Sequence, residues 1–305
     1  MTISKQKESN AEIHIGISRC LLGENVRYDG GHKNDSFITG TLSNYFSWVP
    51  VCPEMEIGLG SPRESMKLAE INGTLHLITN KTAQDLTDTM NDYAKTRTAE
   101  LQKESLHGFI LKKDSPSCGI FRVRVHSDSE SNHRNGRGLF AEALMSQYPD
   151  LPMEEEGRLQ DWKLRENFIE RVFSYYRWLN FVNSHPRAKD LVKFHMQQKL
   201  AILAHSRTHY QKLGQLVAQA GKKQITKVLP EYRALYMSAL TVHTTRRKHA
   251  DVLYHLLGYL KKVVDSQDKA ELIETIEKYR CGIIPLIVPL TLLNHHFRRH
   301  PVSWV

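Results

Sequence analysis

Along the first half of the chain, apolar residues fall in short runs of strand length separated by stretches of helical spacing. Ile13–Ser18, Trp48–Val51, Thr74–Thr79 and Gly108–Leu111 are the runs that predict strands. Between the last two, Asp85–Ser105 sets Leu86, Met90, Tyr93, Ala94 and Leu101 on one helical face, and Ser36–Phe46 and Leu139–Tyr148 predict two more helices. Strands alternating with helices predict a parallel, Rossmann-like α/β sheet. Ser127–Gly138, rich in Ser, Asn, His, Arg and Gly, reads as an exposed loop. Pro149–Glu156 carries two prolines and three consecutive glutamates and reads as a domain boundary.

After about residue 157 the period becomes helical throughout. Leu164, Phe168, Val172, Phe173 and Tyr176 share one face, and Arg187–Ser206 continues the pattern. Pro230–Leu260 reads as one long segment, and Lys269–Arg280 is amphipathic up to Cys281-Gly282. The expectation is an all-α bundle of five or six helices over 157–305, following an α/β domain over 1–156. A length of 305 residues agrees with two domains. Phe173, Tyr175, Tyr176 and Trp178 read as core aromatics rather than as platforms for bases.

Charge sharpens this division. Residues 1–150 hold 17 Lys+Arg against 19 Asp+Glu, a net of −2, whereas residues 151–305 hold 25 against 14, a net of +11. A near-neutral domain joined to a strongly basic one predicts capture of a polyanion by the basic part. The first ten residues are polar and lack the apolar stretch of a signal peptide. The longest apolar run, Ile283–Leu293, is interrupted by Pro285 and Pro289 and falls short of the roughly 20 residues needed to span a bilayer. A soluble, cytoplasmic protein without membrane contact is expected, with thiols or metal ligands rather than disulfides.

The candidate chemistry lies in three dense segments: Ser-Arg-Cys-Leu-Leu-Gly around Cys20, Val-Cys-Pro-Glu around Cys52, and Asp-Ser-Pro-Ser-Cys-Gly around Cys118. Each cysteine sits beside turn formers, which expose a side chain together with backbone N–H groups. Structural zinc sites use four ligands in close pairs, and no such pair exists here. Three dispersed thiolates fit a [4Fe–4S] cluster with one iron open better than they fit zinc, which stays as the alternative. Cys281, at a predicted helix end, reads instead as a small buried hydrophobe. Glu54 is a candidate general acid/base, or else a cap; Ser115 and Ser117 point a hydroxyl at a ligand, or else cap a turn. Arg19, Arg27, Asp29 and Lys33 surround the first cysteine, and Gly30-Gly31 is too weak a signal for a phosphate loop.

These motifs, in this order, resemble the thiouracil desulfidase family, and residues 157–305 resemble the helical domain fused to it in one subgroup. That subgroup is similar to bacterial desulfidases that remove sulfur from 4-thiouridine in tRNA. The resemblance implies that Cys20, Cys52 and Cys118 bind a [4Fe–4S] cluster with one non-protein-ligated iron, and that Glu54 and Ser115 are catalytic. It implies a non-redox conversion of thiouridine to uridine with release of sulfide. Arg19 stands where many relatives carry a smaller residue. Expected phosphate contacts are Lys222, Lys223, Arg246, Arg247, Lys248, Arg298 and Arg299, with His205, His209, His249, His295 and His296; each cluster reads equally as a solvated helix face. Two other readings compete: a desulfidase of free thiolated bases or nucleosides, and a nucleic-acid-binding redox sensor whose cluster only reports oxidation.

Overall fold

The computed structural model describes residues 12–127 and 133–302, so the N-terminal decapeptide read above and residues 128–132 lie outside it. The chain separates into two compact units, the first ending at Tyr176 and the second beginning at Arg177. The strands are β1 (His14–Ser18), β2 (Ser47–Val51), β3 (Met66–Ile71), β4 (Thr74–Thr79), β5 (Gly108–Leu111), β6 (Val123–Ser127), β7 (His133–Gly136) and β8 (Met153–Glu155). They form two four-stranded sheets, one ordered β2-β1-β5-β8 and the other β4-β3-β6-β7.

The first sheet is parallel throughout, as the alternating pattern predicts. Ile15, Ile17, Phe109, Ile110 and Leu111 are fully buried, the continuous apolar run of a strand covered on both faces. Gly16 is required by close packing, because a Cβ there would lie 2.2 Å from the Phe109 ring. Helices α1 (Pro53–Glu56), α2 (Thr87–Glu100) and α3 (Leu139–Gln147) complete this region. Ser36–Phe46, expected as a helix, makes only a π turn over Phe37–Thr41 and a 3-10 turn over Leu42–Asn44.

Two expectations are corrected. Within the segment read as a loop, Ser127 ends β6 and His133–Gly136 forms β7, the two pairing antiparallel in the second sheet. Pro149–Glu156, read as a boundary, supplies edge strand β8, and its glutamates are enclosed. Glu154 accepts from Arg158, Glu155 from the backbone N–H groups of Ile120 and Phe121, and Glu156 from Lys112 and Lys113. Their charge reads as linker because sequence does not show the donors, most of which lie far away in the chain.

Helix α4 (Trp162–Asn183) begins in the first unit, where Phe168 and Val172 join the core of β1 and β5. The contact boundary therefore falls twenty residues beyond the expected 156. The second unit continues with α5 (Ala188–His205), α6 (Arg207–Gln219), α7 (Ile225–Thr241), α8 (Arg246–Leu260), α9 (Ser266–Arg280) and α10 (Ile287–Arg299). The helical domain is as expected, with α4 to α10 in place of five or six helices. Pro230–Leu260 is two helices rather than one: the Thr245 hydroxyl accepts from Lys248 N–H and starts α8. Trp178 stacks on Tyr232 at 5.3 Å in an aromatic core with Phe181, Phe194 and Tyr236, and α8, α9 and α10 share a second core around Leu257, Leu272 and Ile276. Among the described residues no helix is long and apolar enough to cross a membrane.

Candidate active site

The order of the parallel sheet explains why the three cysteine segments meet. Cys20 follows β1, Cys52 follows β2, and Cys118 lies in the loop after β5. These strands are neighbours, about 4.8 Å apart, so their loops share the carboxyl edge where open α/β sheets place ligands. Cys20 sits in a 3-10 turn closed by Gly23 at φ +92, and its carbonyl accepts the Lys33 N–H at 2.8 Å. Cys52 is the N-cap of α1, with Pro53 in the first turn, and its own N–H donates to Glu56 Oε1 at 2.9 Å. Glu56 is held in turn by the Tyr93 hydroxyl and Arg97.

The Cys118 loop is fixed from several sides. Ser115 Oγ accepts the N–H groups of Ser117 (3.3 Å) and Cys118 (3.1 Å), an ordinary serine turn. The start of α3 docks directly on it: Leu139 and Ala141 N–H donate to the Pro116 and Ser117 carbonyls. Only glycine fits at 138, since a Cβ there would lie 2.4 Å from the Ser117 backbone.

Cys20, Cys52 and Cys118 line one cavity of about 390 Å³, together with Glu54, Arg63, Lys112 and Ser115. Burial pushes the Cys20 thiol up to about 12 and raises Cys52, while Cys118 goes well above its usual range. Cys118 also feels Cys20 and Cys52, and Cys20 feels Cys52, so by themselves all three are protonated at neutral pH. A metal centre supplies the positive charge that such a donor set lacks. Among the described residues no three His, Cys, Asp or Glu side chains are close enough to share one metal ion. Soft sulfur donors spread around a cavity fit a larger sulfur-bound centre rather than a single ion.

Glu54 reaches the same cavity from α1. Its Oε2 is paired with Arg63, whose Nε donates at 3.1 Å and whose Nη2 makes a second, shorter bond. Its Oε1 accepts from Ser117 Oγ at 2.9 Å and lies 3.4 Å from Ser115 Oγ. Arg63 is nearly enclosed, at 6 % side-chain exposure, and its Nη1 donates to the carbonyls of Val26 (2.9 Å) and Gly60 (2.7 Å). Sequence reasoning missed Arg63 and left Ser117 undecided. The available signal was the unbroken stretch Cys-Pro-Glu to Ser-Pro-Arg-Glu, whose nine-residue separation of Glu54 and Arg63 closes into one ion pair.

Residues 15–156, which contain all of these groups, match the model of a family described as 2-thiouracil desulfurase. Uncharacterized protein YbgA of Escherichia coli (strain K12) is 34 % identical over 142 residues, 46 % of this chain and 83 % of YbgA. The chain belongs to the 2-thiouracil desulfurase family. Uncharacterized protein YbbK of Bacillus subtilis (strain 168) is 31 % identical over 111 residues, 34 % of this chain and 72 % of YbbK. Among solved structures, the [4Fe-4S]-dependent thiouracil desulfidase TudS is 26 % identical, covering 49 % of this chain and 95 % of its own, with a TM-score of 0.39. In this chain, residues 199–305 match a second family, described as a protein of unknown function (DUF1722).

The expected phosphate contacts occupy three places. Lys222 and Lys223 are exposed between α6 and α7, Arg246 and Arg247 are exposed at the start of α8, and Arg298 and Arg299 at the end of α10. Lys248 is committed to the fold, its Nζ donating to the carbonyls of His205 and His243. His205 and His296 are buried, His209 pairs with Ser206 and His249 with Tyr279, which leaves His295 exposed. Cys281 is exposed at the C-cap of α9, not buried as expected, because its helix ends there.

Ser117 is fully buried and does not line the cavity, so it steadies Glu54 from behind while Ser115 faces the open space. A hydrogen bond to a charged group contributes about 1.5–3 kcal/mol. Ser117→Ala is therefore expected to lower turnover roughly 10- to 100-fold at unchanged iron content. Turnover within twofold of the parent, measured with iron content, would remove this role.

Proposed function

We propose that the protein is a [4Fe–4S]-dependent desulfidase that converts 4-thiouridine in tRNA to uridine. The observation that carries the reading is the convergence of three thiols and Glu54, backed by Ser117, on one cavity in a member of a desulfurase family. Cys20, Cys52 and Cys118 would hold the cluster. Its open iron would supply a soft Lewis acid for a thiocarbonyl sulfur. The balance is hydrolytic: the C4=S bond is replaced by C4=O, water gives the oxygen, and hydrogen sulfide leaves without net electron transfer. Glu54 accepts the proton of the attacking water at Oε1, the oxygen that bears only hydroxyl partners, and returns it to the departing group. Arg63 holds the carboxylate aimed at the cavity, and Ser115 orients the base.

The macromolecular substrate is supported by the net of +11 over residues 151–305. Arg246, Arg247 and Lys248 fill the first turn of α8 with no acidic residue among them. Lys248 is held by the His205 and His243 carbonyls, but the exposed charges of Arg246 and Arg247 oppose the helix dipole, an arrangement unfavourable to the fold alone and favourable to phosphate binding. The family description itself names a free base, so a free thiolated base is the second reading.

Anaerobic reconstitution separates these readings. The protein is expected to turn brown and to lose that colour in Cys20→Ala, Cys52→Ala or Cys118→Ala but not in Cys281→Ala. It is expected to release sulfide from thiolated tRNA with a KM that rises steeply with salt. A colourless reconstituted protein would overturn the cluster. Turnover of 4-thiouridine or 2-thiouracil alone, with none on tRNA, would establish the free-base reading.

A further inference from the structure

The first unit carries little net charge, yet one face of its second sheet is basic. On β6, Val123 and Val125 are buried, and Arg124 between them points to the opposite, open face. The register sets Arg124 directly across from Arg134 on β7, and both are exposed. On the other side β3 runs parallel with Leu68 level with Val125, so one step earlier Lys67 is level with Arg124. Three cations thus stand side by side on three adjacent strands. His126, on the same face two residues from Arg124, has its pKa lowered by partial burial and by Lys67 and Arg124.

Like charges directly opposite in a sheet destabilise it. Lys67 and Arg124 have no carboxylate partner among the described residues; Asp128 and Glu130, nearby in sequence, lie outside them. Asp85, at the β4 edge of the sheet, is occupied by His76 and Thr87. The stripe reaches the mouth of the thiol cavity at Arg134, which pairs at 3.6 Å with Asp114, a residue lining it. A row of cations leading to a reaction cavity, of which Lys67 and Arg124 have no carboxylate partner among the described residues, is the complement of a phosphate backbone.

We infer that Lys67, Arg124 and Arg134 form an RNA-backbone-binding surface on the catalytic unit, which guides the strand carrying the thiolated nucleotide into the cavity. The inference rests on the reading of tRNA as substrate, and it places phosphate contacts in a half of the chain where composition predicts none. The test compares the full-length holoprotein with a Lys67→Gln/Arg124→Gln/Arg134→Gln variant. Bulk tRNA is titrated by fluorescence anisotropy over a salt series, and turnover is measured on thiolated tRNA and on free 4-thiouridine. Three lost phosphate contacts are expected to flatten the slope of log K against log salt by about 2 to 3. Turnover on tRNA should fall tenfold or more through KM, with turnover on free 4-thiouridine unchanged and a Tm at or above the parent's. An unchanged salt slope in the triple variant, with the slope lost in Arg246→Gln/Arg247→Gln, would overturn this surface and leave the tRNA reading standing. A parent protein that neither binds nor desulfidates tRNA would overturn both. Loss of binding to phosphatidylserine vesicles, with tRNA binding intact, would assign the stripe to a lipid surface instead.

Discussion

Replacing Glu54 by Gln is expected to lower sulfide release by about 10²- to 10⁴-fold, the range contributed by a positioned acid/base group. The amide keeps the shape and can still accept from Ser117, so iron content and visible absorption should match those of the parent. The choice of Glu54 follows from what the other carboxylates around the cavity are doing. Both oxygens of Glu64 are taken by Lys81 and Thr82. Glu56 is tied to the Cys52 N–H, Tyr93 and Arg97, and Glu156 to Lys112 and Lys113. Asp114 lies between Lys113 and Arg134, half exposed at the rim. Glu54 Oε1 meets two serine hydroxyls, of which Ser115 lines the cavity and can relay a proton, whereas Glu64 is turned to Lys81 and Thr82, which do not line it. A Glu54→Gln protein that releases sulfide at the parent rate would dismiss the assignment and favour the cluster as a sensor. Retained colour with lost turnover is the result the reading requires.

How much of this site was legible from sequence depended on whether the signal was local. The strands β1, β2 and β5 are short apolar runs with turn formers after them, and the position of each cysteine just past a strand follows directly. That these three strands are neighbours does not follow from any one of them; it needs the parallel α/β pattern as a whole. Residue types with two opposite uses were read less well. Glu154, Glu155 and Glu156 resemble a solvated linker until Arg158, Lys112 and the Ile120 N–H are brought to them by the fold. His133–Gly136 has the composition of a loop, yet its N–H and C=O groups pair with β6, and its polar side chains suit a strand with an open face. Arg63 was hidden for the same reason. Its segment Ser-Pro-Arg-Glu is a short polar stretch in sequence, and the burial that gives the guanidinium its meaning comes from Val26, Gly60 and Glu54.

Arg63→Met is expected to have the largest effect on stability. The guanidinium and the Glu54 carboxylate have side-chain exposures of only 6 % and 16 %, so removing one leaves the other charged with little water to compensate it. Breaking such a buried pair costs about 3–5 kcal/mol. For a unit of this size that corresponds to a Tm lower by roughly 10 °C, read on the transition of the first unit. Arg63→Lys keeps the charge but lacks the planar fork that reaches Glu54, Val26 and Gly60 together, and it should fall between the two. The cause is separable from simple loss of packing by a double-mutant cycle. Glu54→Gln in the Arg63→Met background removes the stranded charge, so the double variant should be more stable than Arg63→Met alone. If the second substitution lowers the Tm further by as much as it does in the parent, the two residues are energetically independent, and Arg63 supports the loop rather than Glu54. A positive coupling would mean that the fold tolerates a buried ion pair here chiefly to hold one carboxylate in place beside three thiols.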